Sequence, residues 1–267
     1  MSDAPIPLRC DPWSRFRAAT PARINLGRSG DALPTSALLH FQADHARARD
    51  AVHSAVDFAA LAETIAPQAS IKVKSRAEDR SVYLRRPDLG RRLSKDSAAA
   101  LPQGEWDILF VIADGLSAQA VANHAAPTLK ACIERLPGWR IAPVVLAEQS
   151  RIALGDEAGE IMGAAMVAVL VGERPGLSVA DSLGVYLTYA PRLGCRDSGR
   201  NCISNIHEAG LSPDQAAAKL AWLASQAKAR RLTGVELKED AESVIAQTET
   251  PNILTTSSTD PEEGPGR

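Results

Sequence analysis

At 267 residues, with 45% apolar and 23% charged positions and a net charge of −2, the chain has the balance of a globular protein large enough for one big domain or two small ones. No apolar stretch approaches the roughly 18–20 residues of a membrane span, and the charge is far too even for a nucleic-acid face. Cys10, Cys132, Cys195 and Cys202 form no C-x-x-C pair, and the five histidines are dispersed; this predicts reduced thiols in a cytosol, without a disulfide framework or dedicated metal site.

Residues 1–31 carry Pro and Arg with little periodicity and read as an arm laid on a partner or on the domain itself; MSDAPIPLRC lacks the apolar stretch of a signal peptide. Residues 32–101 read as a mostly helical segment. A helix is predicted at 34–50, where Leu38, Phe41 and His45 share one face, and a second within 52–65. The alternating piece IKVKS (71–75) and the basic stretch SVYLRRPDLGRRL (81–93) lead onward, and Arg85, Arg86, Arg91 and Arg92 read either as a solvated face or as interfacial arginines.

Residues 102–235 form the main domain in this reading. Apolar runs predict strands at 107–115, 140–148, 164–172 and 181–189, with helices at 117–136 and near 154–163 between them. A last helix starts at Ser212, with Pro213 at its first position and Gln215 three residues on, a capping box. Leu220, Leu223 and Ala227 are its inward stripe and Gly234 its stop. Residues 236–267 hold eight acidic side chains against Lys238 and Arg267, and disorder is predicted from about 240. Near-continuous apolar strands alternating with helices give the fold class: α/β, a mainly parallel sheet covered on both faces.

Ligands of such a sheet bind outside the carboxyl ends of the strands. Four segments qualify: ADGLS (113–117), AEQSRI (147–152), GERPGL (172–177) and CISNIHEAG (202–210). No G-x-G-x-x-G, Gly-Lys dipeptide or G-x-S-x-G occurs, so dinucleotide, P-loop and nucleophile-elbow sites lose their support. Asp114, at a strand end, reads as a turn or cap residue. N-x-H-x-x-G at 205–210 is one residue from the D-x-H-x-x-G with which some cobalamin proteins ligate cobalt. Asn205 cannot supply the orienting carboxylate of such a ligand, so His207 is expected to be a hydrogen-bonded loop histidine.

The stretches ALLHFQADHARARDAV, YLRRPDLGRRL, DGLS, GEIMGA, LVGERPGL, YAPR and CISNIH, in that order, resemble the small subunit of ethanolamine ammonia-lyase, over about residues 23–232. The resemblance implies a Rossmann-like subunit that closes over adenosylcobalamin against a large TIM-barrel subunit, the assembly converting ethanolamine to acetaldehyde and ammonia. It implies cobalamin bound base-on, and a cytoplasmic enzyme of a family often packed in bacterial microcompartments. Glu173 in GERPGL and Cys202 in CISNIH match the family's cofactor contacts, and Ile152 follows Arg151 where relatives can show Gly-Arg-Val. No catalytic or metal-ligating residue is expected on this chain. The alternative from another class is an assembly subunit that stabilises its partner without touching cofactor.

Overall fold

The computed structural model describes residues 11–20 and 22–237. The elements in chain order are helices α1 (Ser14–Ala19), α2 (Thr35–His53) and α3 (Phe58–Thr64), strand β1 (Ser70–Lys74), helices α4 (Arg80–Arg85) and α5 (Lys95–Ala99), and strand β2 (Leu109–Ala113). Helices α6 (Ala118–Ala120) and α7 (Ala126–Glu134), strand β3 (Val144–Glu148), helix α8 (Ile152–Met162), strands β4 (Met166–Gly172), β5 (Leu183–Tyr189) and β6 (Asn201–Ile206), and helix α9 (Pro213–Arg230) follow. The predicted tail disorder lies outside the described residues.

One six-stranded sheet, in the order β1-β3-β2-β4-β5-β6, organises the chain. The β1–β3, β3–β2 and β2–β4 pairings are parallel, as the apolar runs predict, whereas β4–β5 and β5–β6 are antiparallel. The sheet is therefore mixed, and the reason is connection length. A parallel crossover needs about a dozen residues with a helix among them; the ten residues 173–182 contain Pro175 and Gly176 and no helix, so β5 returns alongside β4. The IKVKS stretch becomes the edge strand β1, five residues in register with β3.

Side chains alternating along the strands feed two cores. Phe110, Ile112, Leu146, Ala168 and Leu170 face α3, α7 and α9, while Leu109, Val111, Val145, Val167 and Val169 face α8. Helix α9 keeps its predicted stripe, with Leu220, Leu223 and Ala227 buried, and its capping box: Gln215 N–H donates to Ser212 Oγ at 3.2 Å, and Ser212 N–H to Gln215 Oε1 at 3.0 Å. It stops earlier than expected. Arg231 takes the left-handed conformation at its end, and Gly234 (φ +92°) serves a later turn in which its N–H reaches Asn201 Oδ1. Replacing Ser212 with Ala should cost about 1 kcal/mol, read from a urea midpoint at unchanged m-value.

The predicted helix 117–136 is interrupted by a wide π-turn over Val121–Ala125. Pro127 is the cause: it has no N–H to give to residue 123, and its ring would meet that carbonyl. The turn sends Asn123 and His124 toward Asp181, each 3.2 Å from its Oδ2. Helix α2 forms as predicted, but Leu38 and Phe41 are exposed in this chain and only Ala51 is buried. Within the preceding arm, Arg23 bonds Asp44 of α2 and reaches the Leu177 carbonyl at 3.4 Å. In the basic stretch, Arg92 turns inward. It makes two hydrogen bonds to Glu157 on α8, at 3.1 and 3.2 Å, so it is not simply part of a solvated face.

Candidate functional site

Strand order reverses around β2, whose neighbours are β3 on one side and β4 on the other. Loops leaving the carboxyl ends of β2 and β4 diverge there, which opens a crevice at the switch point. The crevice measures about 240 Å³, and Leu116, Arg151, Ile152, Glu173, Arg174 and Tyr186 line it.

Its floor is bare backbone. Leu116 N–H donates to the Gly172 carbonyl at 2.9 Å, and a Cβ on Gly172 would sit 2.1 Å from the Ser117 oxygen and 2.8 Å from that of Asp114. Only glycine lets β4 end this close to the neighbouring loop.

The wall at Ile152 is held from behind. Asp114 does act as a turn residue, but for another loop: it accepts the N–H groups of Gln149 and Ser150, both at 2.8 Å, which holds Gln149 at φ +52°. Burial pushes its carboxyl above the usual range, against the opposing pull of these N–H groups and of Arg80. Arg80 lies 3.5 Å from Asp114 and donates to the Gly115 carbonyl at 2.9 Å and to that of Val52 at 2.7 Å. Fully buried Tyr83 donates to the Ser150 carbonyl at 3.0 Å, and the Arg151 guanidinium lies 4.7 Å from its ring centre. Burial raises the Tyr83 phenol, so it stays a donor across the physiological range. Helix α4, far earlier in sequence, thus fixes the residue from which α8 and Ile152 start.

The opposite wall belongs to Glu173. Its hydrogen bonds run not to Arg151 or Arg174 but to Ser182 Oγ at 2.5 Å and the Asn205 N–H at 3.3 Å, both on Oε2. The side chain lies over Gly184, where an added Cβ would come within 2.8 Å of Oε1. Tyr186 is two residues further along β5, opposite Val169 of β4 and Cys202 of β6. Tyr186 and Cys202 are thus directly opposed cross-strand neighbours. Burial, the neighbouring Cys202 thiol and the Glu173 charge raise the tyrosine; burial and Glu173 raise the thiol, against a downward pull from Tyr186.

Ile152 and Glu173 therefore face one crevice. Cys202 does not line it; it sits on the adjacent exposed strand, opposite Tyr186. The segment CISNIH is that strand and not a loop, since its Asn and Ser residues fall on an edge with little burial. His207 is a hydrogen-bonded loop histidine, 2.8 Å from Asn205 Oδ1, and no metal-holding cluster occurs among the described residues. Sequence reasoning missed Tyr186 and Ser182. The alternation of LGVYLTY gives Tyr186 the same face as the residue opposite it on β4; no pattern marks Ser182.

Residues 10–238 match the family model "Ethanolamine ammonia-lyase light chain (EutC)". The chain belongs to the ethanolamine ammonia-lyase light-chain family. It is 52% identical over 242 residues to a relative from Azotobacter vinelandii, covering 87% of this chain and 90% of the relative. It is 50% identical over 262 residues to one from Ralstonia nicotianae, covering 94% and 97%. A Pseudomonas putida relative is 52% identical, at 87% and 89% coverage. All three bear the name ethanolamine ammonia-lyase small subunit. The family match spans every element of the crevice, from Arg80 to Asn205, and no described helix is long and apolar enough to cross a membrane.

Proposed function

We propose that this chain is the small subunit of an ethanolamine ammonia-lyase, active with a large TIM-barrel subunit, and that its crevice is the small-subunit half of an adenosylcobalamin site. The observation that carries the reading is the convergence of Ile152 and Glu173 on one crevice at the sheet's carboxyl edge, with Cys202 next to the lining residue Tyr186 on the adjacent strand. The assembly converts ethanolamine to acetaldehyde and ammonia. Adenosylcobalamin, when bound, supplies the radical that starts this reaction.

The residues suit such a group. A corrin is a broad apolar disc fringed with amides, so a half-site needs flat apolar surface and a few placed polar atoms. Ile152, Leu116 and the Tyr186 ring supply the surface. Glu173 Oε1, which has no partner among the described residues, supplies an acceptor for amide N–H groups, and Arg151 and Arg174, which line the same crevice, supply donors. The crevice is a half-site, which is why a second polypeptide is required. This chain's part is to bind and orient the cofactor and to keep water from the reacting centre.

The test is co-expression with the large subunit and titration of the purified complex with adenosylcobalamin. Glu173→Ala should raise the dissociation constant about 10-fold, the loss of one hydrogen bond from a desolvated site, and Cys202→Ala should raise it by loosening Tyr186 beside it, with the complex intact on gel filtration. An assembly-only subunit predicts unchanged binding in both variants.

A further inference from the structure

The two oxygens of Glu173 are not equivalent. Oε2 is saturated by the Ser182 hydroxyl at 2.5 Å and the Asn205 N–H at 3.3 Å. Oε1 lies over Gly184, where a side chain would displace it, and has no partner among the described residues. Asn205 holds its end of this arrangement at φ +66°, its own side chain bonded to His207. The carboxylate is thus clamped through one oxygen, and the other is left for whatever enters the crevice.

We propose that Glu173 is a specificity residue that admits a corrinoid presenting a carboxamide at this contact and rejects one presenting a carboxylate, with Ser182 positioning it. This rests on the cofactor reading above. An ionised carboxylate accepts hydrogen bonds and has none to give. A primary amide brings two N–H donors to Oε1; a carboxylate brings none and adds a like charge beside the first. Arg151 and Arg174 lie on the same crevice and moderate the net charge, but neither can turn an acceptor into the donor that Oε1 requires. Sites built around one hydrogen-bond polarity discriminate strongly against the partner that lacks it, because their own polar atom is left unpaired.

The experiment uses the complex with the large subunit and measures dissociation constants by equilibrium dialysis, so that turnover is not needed. The probes are cobalamin and a series of cobalamin monocarboxylates, each with a different peripheral amide hydrolysed. The wild-type complex should bind at least one member about 10-fold or more weakly than cobalamin. Glu173→Gln, whose amide can donate, should bring that member to within about threefold of cobalamin. Ser182→Ala should narrow the discrimination, and Ser182→Thr, which keeps the hydroxyl, should restore it. Equal binding of every monocarboxylate by the wild type, or a gap that Glu173→Gln leaves unchanged, overturns the proposal while the cofactor reading stands. If Glu173→Ala and Cys202→Ala leave cobalamin binding itself unchanged, it is the cofactor reading that falls.

Discussion

Replacing Asp114 with Ala is expected to destabilise the chain by about 3–5 kcal/mol, the cost of stranding one partner of a buried ionic contact. Three groups lose their partner together: the N–H groups of Gln149 and Ser150, and the Arg80 guanidinium 3.5 Å away. Arg80 is only 15% exposed and already carries one buried nitrogen without a partner, so water cannot readily take over the vacated position. The loss should fall on the site as well. Gln149 sits at φ +52°, which a residue with a side chain holds only under constraint, and Ile152 follows three residues later. Urea unfolding should give the stability change, and hydrogen exchange should show the 149–152 amides losing protection beyond the global shift. Unaltered stability would mean that Arg80 and Tyr83 alone hold the loop.

Asp156→Ala is expected to cost a similar amount, about 3–5 kcal/mol, for a separate reason. Arg200 and Asp156 are 2% and 1% exposed and meet through two hydrogen bonds of 2.6 and 2.7 Å. The guanidinium also donates to Thr188 Oγ1 at 2.8 Å and to the Cys195 carbonyl at 3.2 Å. Burial disfavours the Arg200 charge, and the Asp156 and Asp197 carboxylates together offset it with a net upward shift; a guanidinium does not deprotonate in a protein, so the charge persists when Asp156 is removed. Pairing Asp156→Leu with Arg200→Met should recover much of the loss, since no buried charge then remains. Thermal midpoints of the two single variants and the pair form the cycle; a double variant as unstable as the worse single one would show that shape, not charge, sets the cost.

How far the sequence speaks depends on the kind of signal each feature leaves. DILFVIADG and AAMVAVLVG announce strands because a strand covered on both faces admits only apolar residues, and β2 and β4 are fully buried. Glu173 is legible because the polar residue after such a run has to emerge at the strand's end. The direction of β5 depends on what the ten residues before it fail to contain, which is harder to see than a motif. Strand β6 is hidden by its polarity, since an edge that buries only two of six residues needs no apolar run. The Asp156–Arg200 pair and the Tyr83–Ser150 contact join residues 44 and 67 positions apart, and no local pattern records such partners. Pro127 could have signalled the break in helix 117–136, but the capping and periodicity rules place proline at starts and stops rather than at a widened turn.

Tyr83 also imposes an order of events on the making of this protein. The ribosome delivers it well before the carbonyl it will bind, and the cavity that encloses its ring does not exist until the start of α8 has emerged. Until then a large aromatic side chain and its neighbouring arginines ride exposed on the nascent polypeptide. The rim of the crevice therefore cannot close until this 67-residue loop has been made, since loop closure has to precede the contacts that reward it.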